Sequence, residues 1–302
     1  LTVTVNGGSS QGNVEFDSEA TGMLTVNAIT VANDGTLTIS HEGAATIAGA
    51  LDTSAGDGDA ISLQVADGVT FSAAMSDVMT GGGSFTVNAD TNNDGTGTYS
   101  QADAGAAVTT GGGAVSITAA DFSLTGTINS GAGTIDLLTS NPTTKIDVGV
   151  GTKVASGFNV DDSELGQITT SNTLTIGGGT ANSITVNAVT AANTANIGTV
   201  ALNATRTGAD ITFSTAASTF GANLTATADD VVDVDVSIST ATTAGHTLAL
   251  TGTTVELAAN LDAQGATINL TGATTLIENV SITSTNGTAT GGNISLDAVS
   301  AQ

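Results

Sequence analysis

The chain has no cysteine and no tryptophan, and its 302 residues include only one proline, one tyrosine and seven phenylalanines. Without cysteine, disulfides and thiolate metal sites are excluded. The apolar residues are therefore chiefly Ala, Val, Ile and Leu, which predicts a narrow core. With 39% hydrophobic and 10% charged residues, the chain is expected to fold, because disordered chains are poor in apolar residues and rich in charge.

Positive charge is also nearly missing. Three Lys and Arg residues stand against 28 acidic residues, for a formal net charge of -25. Nucleic acid is excluded as a partner because phosphates need basic side chains, and anionic membrane surfaces are excluded for the same reason. Apolar runs fall short of the roughly 20 residues that span a bilayer, so no membrane insertion is expected. Such a surface attracts cations where oxygen ligands cluster, Ca²⁺ above all.

Two-residue alternation of apolar and polar residues runs along most of the chain, which is typical of strands with one buried face. Turn-forming clusters of Gly, Asn and Asp separate the alternating segments. The clearest alternating segments are LTVTV (1–5), TLTIS (36–40), ISLQV (61–65) and SITVNAVT (183–190).

A glycine followed by an alternating strand recurs, twice at an interval of twenty residues. The phrase GAVSIT begins at Gly113 and GTIDLL at Gly133, and GHTLAL begins at Gly245 and GATINL at Gly265. One period holds about three short strands, as in the coil of a solenoid. The pattern predicts an all-β parallel β-helix (β-solenoid) with about 20 residues per coil.

An array of β-sandwiches is the alternative fold, since sandwich strands also recur every 8–12 residues. Sandwich cores usually contain aromatic and large aliphatic residues, whereas the inward positions here are Val, Ile, Leu and Ala. In parallel coils each residue stacks on its equivalent one turn along, about 4.8 Å away, and slim side chains fill that interior. The composition therefore favours the solenoid.

One segment interrupts the alternation. After Asp161 or Asp162, Glu164 is placed to reach back to the free amides of a helix start, as in a capping box. We therefore predict one short helical turn near 163–168. The chain is divided accordingly into a solenoid stretch, a junction with an irregular insertion and a second solenoid stretch, at residues 1–139, 140–172 and 173–302.

The run from FSLTGTINSGAGTIDLLTS to GFNVDDSELGQITTSNTLTIGGG resembles the repeats of very large bacterial surface and secreted proteins of the filamentous haemagglutinin-like, β-strand-repeat kind. The resemblance is clearest over 113–302. It implies a right-handed parallel β-helix, export to the cell surface or beyond, and adhesive or scaffolding duty. The residues that match the recurring phrase of those repeats are Val160, Asp162, Glu164, Leu165, Ile168, Leu174, Ile176 and Gly177.

One segment has the spacing of a calcium loop. DTNNDGTGTYSQ (90–101) places oxygen-bearing side chains at alternate positions and a glycine at the sixth. The twelfth position is Gln101 instead of a bidentate Glu, and an Asn- and Asp-rich turn without a metal is the competing interpretation. No other cofactor is expected. The candidate calcium ligands are Asp90, Asn92, Asp94 and Thr96.

Other polar residues give weaker signals. Asp233 and Asp235 alternate with valines, which predicts a solvated strand face. Arg206 stands four residues before Asp210, the spacing of a possible ion pair, and Arg beside aspartates is the machinery of β-helical lyases. A sugar-processing enzyme would also be expected to offer aromatic platforms, and the chain has few. We therefore expect no enzymatic activity.

Three functional hypotheses remain open. The first is an extracellular structural or adhesive rod, a segment of a large bacterial surface protein, with itself, neighbouring surface proteins or glycans as partners. The second is a subunit of a self-assembling filament or surface layer, since the ends of a solenoid expose unpaired backbone edges. The third is a calcium-dependent carbohydrate-binding or lyase protein.

Overall fold

The computed structural model describes residues 12–31, 34–149, 157–178, 181–241, 245–285 and 291–301. Across these ranges the chain winds into about 11 turns of roughly 24 residues, with two very short helices. All strand pairs given by residue register are parallel, with none of the antiparallel pairing that a sandwich needs. The expected β-solenoid is confirmed, although the strand expected at 1–5 lies outside the described residues.

Two compact units make up the structure. The first runs to Asn141 and includes Gln167–Asn172, and the second comprises Pro142–Gly166 and the chain from Thr173 onward. The strands of the first unit are β1 (Val14–Ser18), β2 (Leu24–Val26), β3 (Ile29–Thr30), β4 (Leu37–His41), β5 (Ala45–Ile47), β6 (Leu51–Asp52), β7 (Ile61–Val65), β8 (Val69–Phe71), β9 (Val78–Met79), β10 (Phe85–Asn88), β11 (Thr98–Gln101), β12 (Ala107–Thr109), β13 (Val115–Ala119), β14 (Asp121–Leu124), β15 (Thr127–Gly131) and β16 (Ile135–Thr139).

The second unit contains both helices of the described residues. The strand β19 is shared between the units, since its residues up to Asn172 belong to the first unit and those from Thr173 to the second. Its elements are β17 (Ile146–Gly149), β18 (Phe158–Val160), α1 (Asp162–Leu165), β19 (Ile168–Gly178), β20 (Ile184–Asn187), α2 (Ala191–Thr194), β21 (Ile197–Ala204), β22 (Ile211–Phe213), β23 (Ser218–Phe220), β24 (Asn223–Ala228), β25 (Val231–Val234), β26 (Ile238–Thr240), β27 (Leu248–Leu257), β28 (Leu261–Asp262), β29 (Ile268–Leu276), β30 (Ile282–Thr283), β31 (Ile294–Leu296) and β32 (Val299–Ala301).

Each turn of the first unit contributes one strand to each of three parallel ladders. The ladders run β1–β4–β7–β10–β13–β16, β2–β5–β8–β11–β14 and β3–β6–β9–β12–β15. The second unit repeats the plan, with β23–β26–β28–β30 as one of its ladders. Three short strands per coil is what the sequence predicts.

Coil length varies more than the glycine phrases indicate. Ile135 stacks on Val115 at the expected interval of 20 residues, but Val115 stacks on Phe85 at an interval of 30. The longer coil carries the polar loop that leaves the wall after β10. Loops of this kind raise the average to roughly 24 residues while the strands keep their register.

The core is a set of slim aliphatic columns. In β4 and β7 the residues alternate between buried and half-buried, with Leu37 stacked on Ile61 and Ile39 on Leu63. All four of these side chains are at most 1% exposed. Burial of such a side chain contributes about 1.5–3 kcal/mol, and the polar alternates remain at the surface.

At Gly113 and Gly133 the recurring glycine phrase is explained by direct stacking of backbone on backbone at one corner. A Cβ on Gly113 would lie 1.9 Å from the carbonyl oxygen of Gly83, and a Cβ on Gly133 would lie 2.1 Å from that of Gly113. At this corner the hydroxyls of Thr110 and Ser130 donate to the carbonyls of Gly113 and Gly133 at 2.5 and 2.7 Å. The sequence repeats glycine here because no side chain fits between the coils. At Gly245, by contrast, a Cβ would meet nothing within 4 Å, and the φ of +63° is what favours glycine there.

The expected helical turn is present as α1. Asp161 is its N-cap, and the carboxylate of Glu164 accepts the backbone N–H of Asp161 at 2.7 Å. This is the capping contact that the sequence predicts. The helix ends earlier than expected, with Gly166 as its C-cap, and Ile168 instead opens β19.

The second helix, α2, was not predicted from the sequence. Its N-cap is Thr190, and the carboxylate of Asp162 accepts the Thr190 N–H at 2.8 Å, the Thr190 hydroxyl at 2.9 Å and the Asn193 amide at 2.7 Å. Asp162 therefore supports the helix of the next coil. Its partners are about 30 residues away, so only the coil register reveals this role.

Candidate functional site

The candidate calcium loop leaves the solenoid wall directly after β10. Asp90 is fully buried, and its Oδ2 accepts the Gly95 N–H at 3.2 Å and the hydroxyl of Ser140. The other oxygen, Oδ1, is buried without a hydrogen-bond partner. Since Gly95 belongs to the loop, the Asp90 carboxylate is turned into the loop and not into solvent.

The other three candidate ligands lie at the surface and bond largely to one another. Asp94 Oδ1 accepts the Thr96 N–H at 2.9 Å and its hydroxyl at 2.6 Å. The amide nitrogen of Asn92 donates to Asp94 Oδ2 at 3.3 Å and to Asp67 Oδ1 at 3.2 Å. Asp67 was not singled out from the sequence, because it is placed at the loop only by the register of the preceding coil.

These contacts favour the charged form of Asp94. The Thr96 hydroxyl is the largest cause of a lowered pKa for Asp94, and Asn92 and Asp90 add to it, while desolvation opposes it. The loop contacts of Asp94 are therefore retained above its ordinary pKa and lost as pH falls through the lowered value.

The loop differs from a helix-flanked calcium site in its last position. Gln101 lies in β11 and is fully buried, where it accepts the Tyr99 hydroxyl at 3.1 Å and donates to the Ala106 carbonyl at 3.2 Å. Its side chain is thus engaged in the core. Among the described residues, no group of three or more His, Cys, Asp or Glu side chains is arranged to hold a metal ion, and the calcium site stays a prediction.

A second acidic cluster lies on an outward strand face of the second unit. Asp233 in β25 stacks on Glu256 in β27, a direct pairing of like charges between neighbouring coils. Burial raises the pKa of Asp233, and the negative charges of Asp235, Glu256 and Asp210 raise it further. On this face the ionised form of Asp233 is disfavoured by burial and by the neighbouring negative charges.

Removing this charge should stabilise the second unit. Because the pKa of Asp233 is raised in the folded state, its protonated form favours folding below its ordinary pKa, and that contribution is lost as pH rises. We expect Asp233→Asn to raise the free energy of unfolding at pH 7 by about 0.5 kcal/mol, with the gain vanishing near pH 3. Urea unfolding at both pH values measures it.

The matched control is Asp136→Asn, since Asp136 stacks on Ser116 and not on another acid. It removes the same charge from an outward strand position. Equal stabilisation by the two variants would show that net charge, and not the stacked pair, is responsible.

Arg206, Asp210 and His41 each contact the backbone of the solenoid. Arg206 donates to the Pro142 carbonyl at 2.7 Å, while Asp210 accepts the Val231 N–H at 3.1 Å, so the ion pair suggested by their spacing is not formed. His41 is in β4 and buried, with Nε2 2.6 Å from the Gly22 carbonyl oxygen. It is a residue of the solenoid wall.

The fold and this loop together define the class of protein. The chain is a parallel β-solenoid with a polar loop on its wall. No family model, no curated protein and no solved structure matches the chain, so the resemblance to filamentous haemagglutinin-like repeats rests on its residues alone. Among the described residues no helix is long and apolar enough to cross a membrane.

Proposed function

We propose that the chain is an extracellular structural or adhesive solenoid, a rod-forming segment of a large bacterial surface or secreted protein. The observation that carries the proposal is the unbroken parallel stacking within each unit, with slim aliphatic residues inside and Thr, Ser, Asn and Asp outside. Within each unit, neighbouring coils are joined by backbone hydrogen bonds along parallel strand ladders. Such a wall supports load and resists proteases because few backbone segments are free to enter a protease site.

The surface chemistry supports the same role. Outward ladder positions are short and polar, as in Thr38 on Ser62 or Thr86 on Ser116. A net charge of -25 keeps such a protein soluble and discourages non-specific association. We propose itself, neighbouring surface proteins and glycans as partners, no partner among nucleic acids, no membrane insertion and no enzymatic activity.

Surface labelling tests the proposal. Antibodies against the folded chain should label intact cells that produce it, and protease added outside the cells should remove that label while an intracellular marker stays intact. Labelling that needs permeabilised cells would overturn the extracellular role. The chain could also be labelled on the cell surface while the purified chain binds neither cells nor glycans. That result would support the structural role and exclude the adhesive one.

One observation favours the filament subunit as a second candidate. In β31 and β32, the aliphatic residues in register with the core columns are exposed, with Ile294, Leu296 and Val299 at 43%, 36% and 50%. A further parallel coil, from a second copy or from a longer chain, would cover them. Light scattering distinguishes the candidates: growth of the purified chain into uniform polymers, abolished by Leu296→Lys, supports the subunit, and a monomer at all concentrations excludes it.

A further inference from the structure

Strand β17 lies out of chain order in its ladder. It precedes β18 in the sequence, yet it is stacked between β18 and β20, because Ile146 is in register with Phe158 on one side and with Ile184 on the other. In the other ladders given by register, each interior strand is stacked between one strand that precedes it in the chain and one that follows it. The chain therefore reaches the interior strand β17 before it reaches β18.

The backbone hydrogen bonds show the same inversion. The N–H that opens a strand donates to the carbonyl just before the next strand of the stack, as Ile184 does toward β22 at 2.9 Å. Ile146 donates in this way to the Ser183 carbonyl at 3.1 Å, and Phe158 donates to the Lys145 carbonyl at 2.9 Å. The stacking order is therefore β18, β17, β20 and β22.

The inserted strand makes room for the two helices. α1 follows β18 and α2 follows β20, and the carboxylate of Asp162 in α1 accepts the N–H of Thr190, the N-cap of α2, at 2.8 Å. Neighbouring strands lie about 4.8 Å apart, whereas packed helices need about 8–10 Å. With β17 between them, β18 and β20 are separated by two strand spacings, roughly 9.6 Å, which is the distance that stacked helices require.

β17 is buried and held along both of its edges. Its inward residues Ile146 and Val148 are 0% and 2% exposed, and Val148 is in register with Val160 and Val186. In an ordinary solenoid each coil contacts only its neighbours, so a strand reached by unwinding from one end is an edge strand and leaves by breaking one ladder. Unwinding from the N-terminal side reaches β17 while β18 and β20 still flank it, and two ladders must break together.

Unwinding from the C-terminal side meets no such obstacle in the described register. β20 separates from β17, then β18 separates from β17, and each step breaks a single ladder. We propose that β17 is a one-way latch, which resists unwinding of the second unit from its N-terminal side and permits it from the other side. This inference is independent of the proposed surface role, because unwinding is a property of the purified chain.

An ATP-driven unfoldase coupled to a protease tests the latch, since such a machine unwinds a chain from whichever end carries its recognition tag. With the tag at the N-terminal end of the full chain, we expect degradation to stall and to leave a fragment that retains β17 and all that follows it. Gel electrophoresis and mass spectrometry identify the fragment. With the tag at the C-terminal end, no fragment should accumulate that ends between β17 and β20.

Two variants separate the latch from general stability. Val148→Ala should clear the stalled fragment roughly tenfold faster, because loss of buried methyl groups lowers the barrier to extraction. Val234→Ala in β25 is the matched control and should leave clearance unchanged. It makes the same substitution in the same core column, since Val234 is in register with Phe213, Phe213 with Val186, and Val186 with Val148.

Circular dichroism shows whether each variant is folded, and the comparison of the two tags on the unchanged chain decides the matter where a variant is not. Degradation from the N-terminal tag without the fragment, or a stall ahead of β17, would overturn the latch. So would a stall at β17 from both ends, or equal clearance by the two variants, because resistance would then come from core stability and not from strand order.

Discussion

Replacing Gly113 with alanine should lower the free energy of unfolding by about 3 kcal/mol, the upper range for overpacking a closed site. The added Cβ would lie 1.9 Å from the Gly83 carbonyl oxygen and 2.4 Å from its carbon. The obstacle is backbone that is itself held, because the Gly83 N–H donates to the Thr80 carbonyl and the Gly83 carbonyl accepts the Thr80 hydroxyl. Relief therefore requires separating two coils. For a unit of this size the melting temperature should fall by roughly 6–12 °C, which scanning calorimetry measures.

Gly22→Ala is the matched control, because a Cβ on Gly22 meets nothing within 4 Å. It tests the same substitution in the same unit without the stacking constraint, and we expect a change within about 0.5 kcal/mol. If the Gly113 and Gly22 variants melt together, the corner glycines are not held by contact between coils, and their recurrence needs another explanation.

The local elements of the fold were predicted correctly from the sequence. Alternation located the strands, the glycine phrases located one corner, and the capping contact of Glu164 located α1. Each of these signals depends on residues a few positions apart, where backbone geometry leaves few alternatives. The parallel solenoid was predicted because the residues at the inward positions are slim, and closely stacked coils are the arrangement that buries such residues.

The candidate site was predicted only in part, for a physical reason. The loop pattern identified Asp90 and Asp94, but Asp67 and Ser140 reach the loop through coil register, and Ser140 is 50 residues from the aspartate that it contacts. Register depends on the lengths of intervening loops, such as the excursion between β10 and β11. A coil interval of 20 residues in one place and 30 in the next cannot be deduced from the alternation itself.

An aromatic cluster in the first unit's core is an exception to its slim aliphatic filling. Tyr99 in β11 stacks on Phe122 in β14 with ring centroids 5.6 Å apart and planes 7° apart, and Phe71 contacts Tyr99 at 5.6 Å and Phe85 at 6.3 Å. Burial raises the pKa of Tyr99 far above its ordinary value, and its hydroxyl is bonded to Gln101. Four of the chain's eight aromatic residues are thus in contact here, and three of them lie in the ladder β8–β11–β14.

Phe122→Ala should therefore destabilise the first unit by about 3–5 kcal/mol, the cost of losing a buried ring and leaving a cavity. The backbone ladders on either side prevent the coil from collapsing into the space. Phe122→Leu, which keeps most of the volume, should cost less than about 1.5 kcal/mol. Since the chain has one tyrosine and no tryptophan, the intrinsic fluorescence of Tyr99 reports unfolding at this position during a urea titration. Equal midpoints for the alanine and leucine variants would mean that the ladder closes around the missing ring. The rigid stacking on which the proposed structural role depends would then be absent at this position.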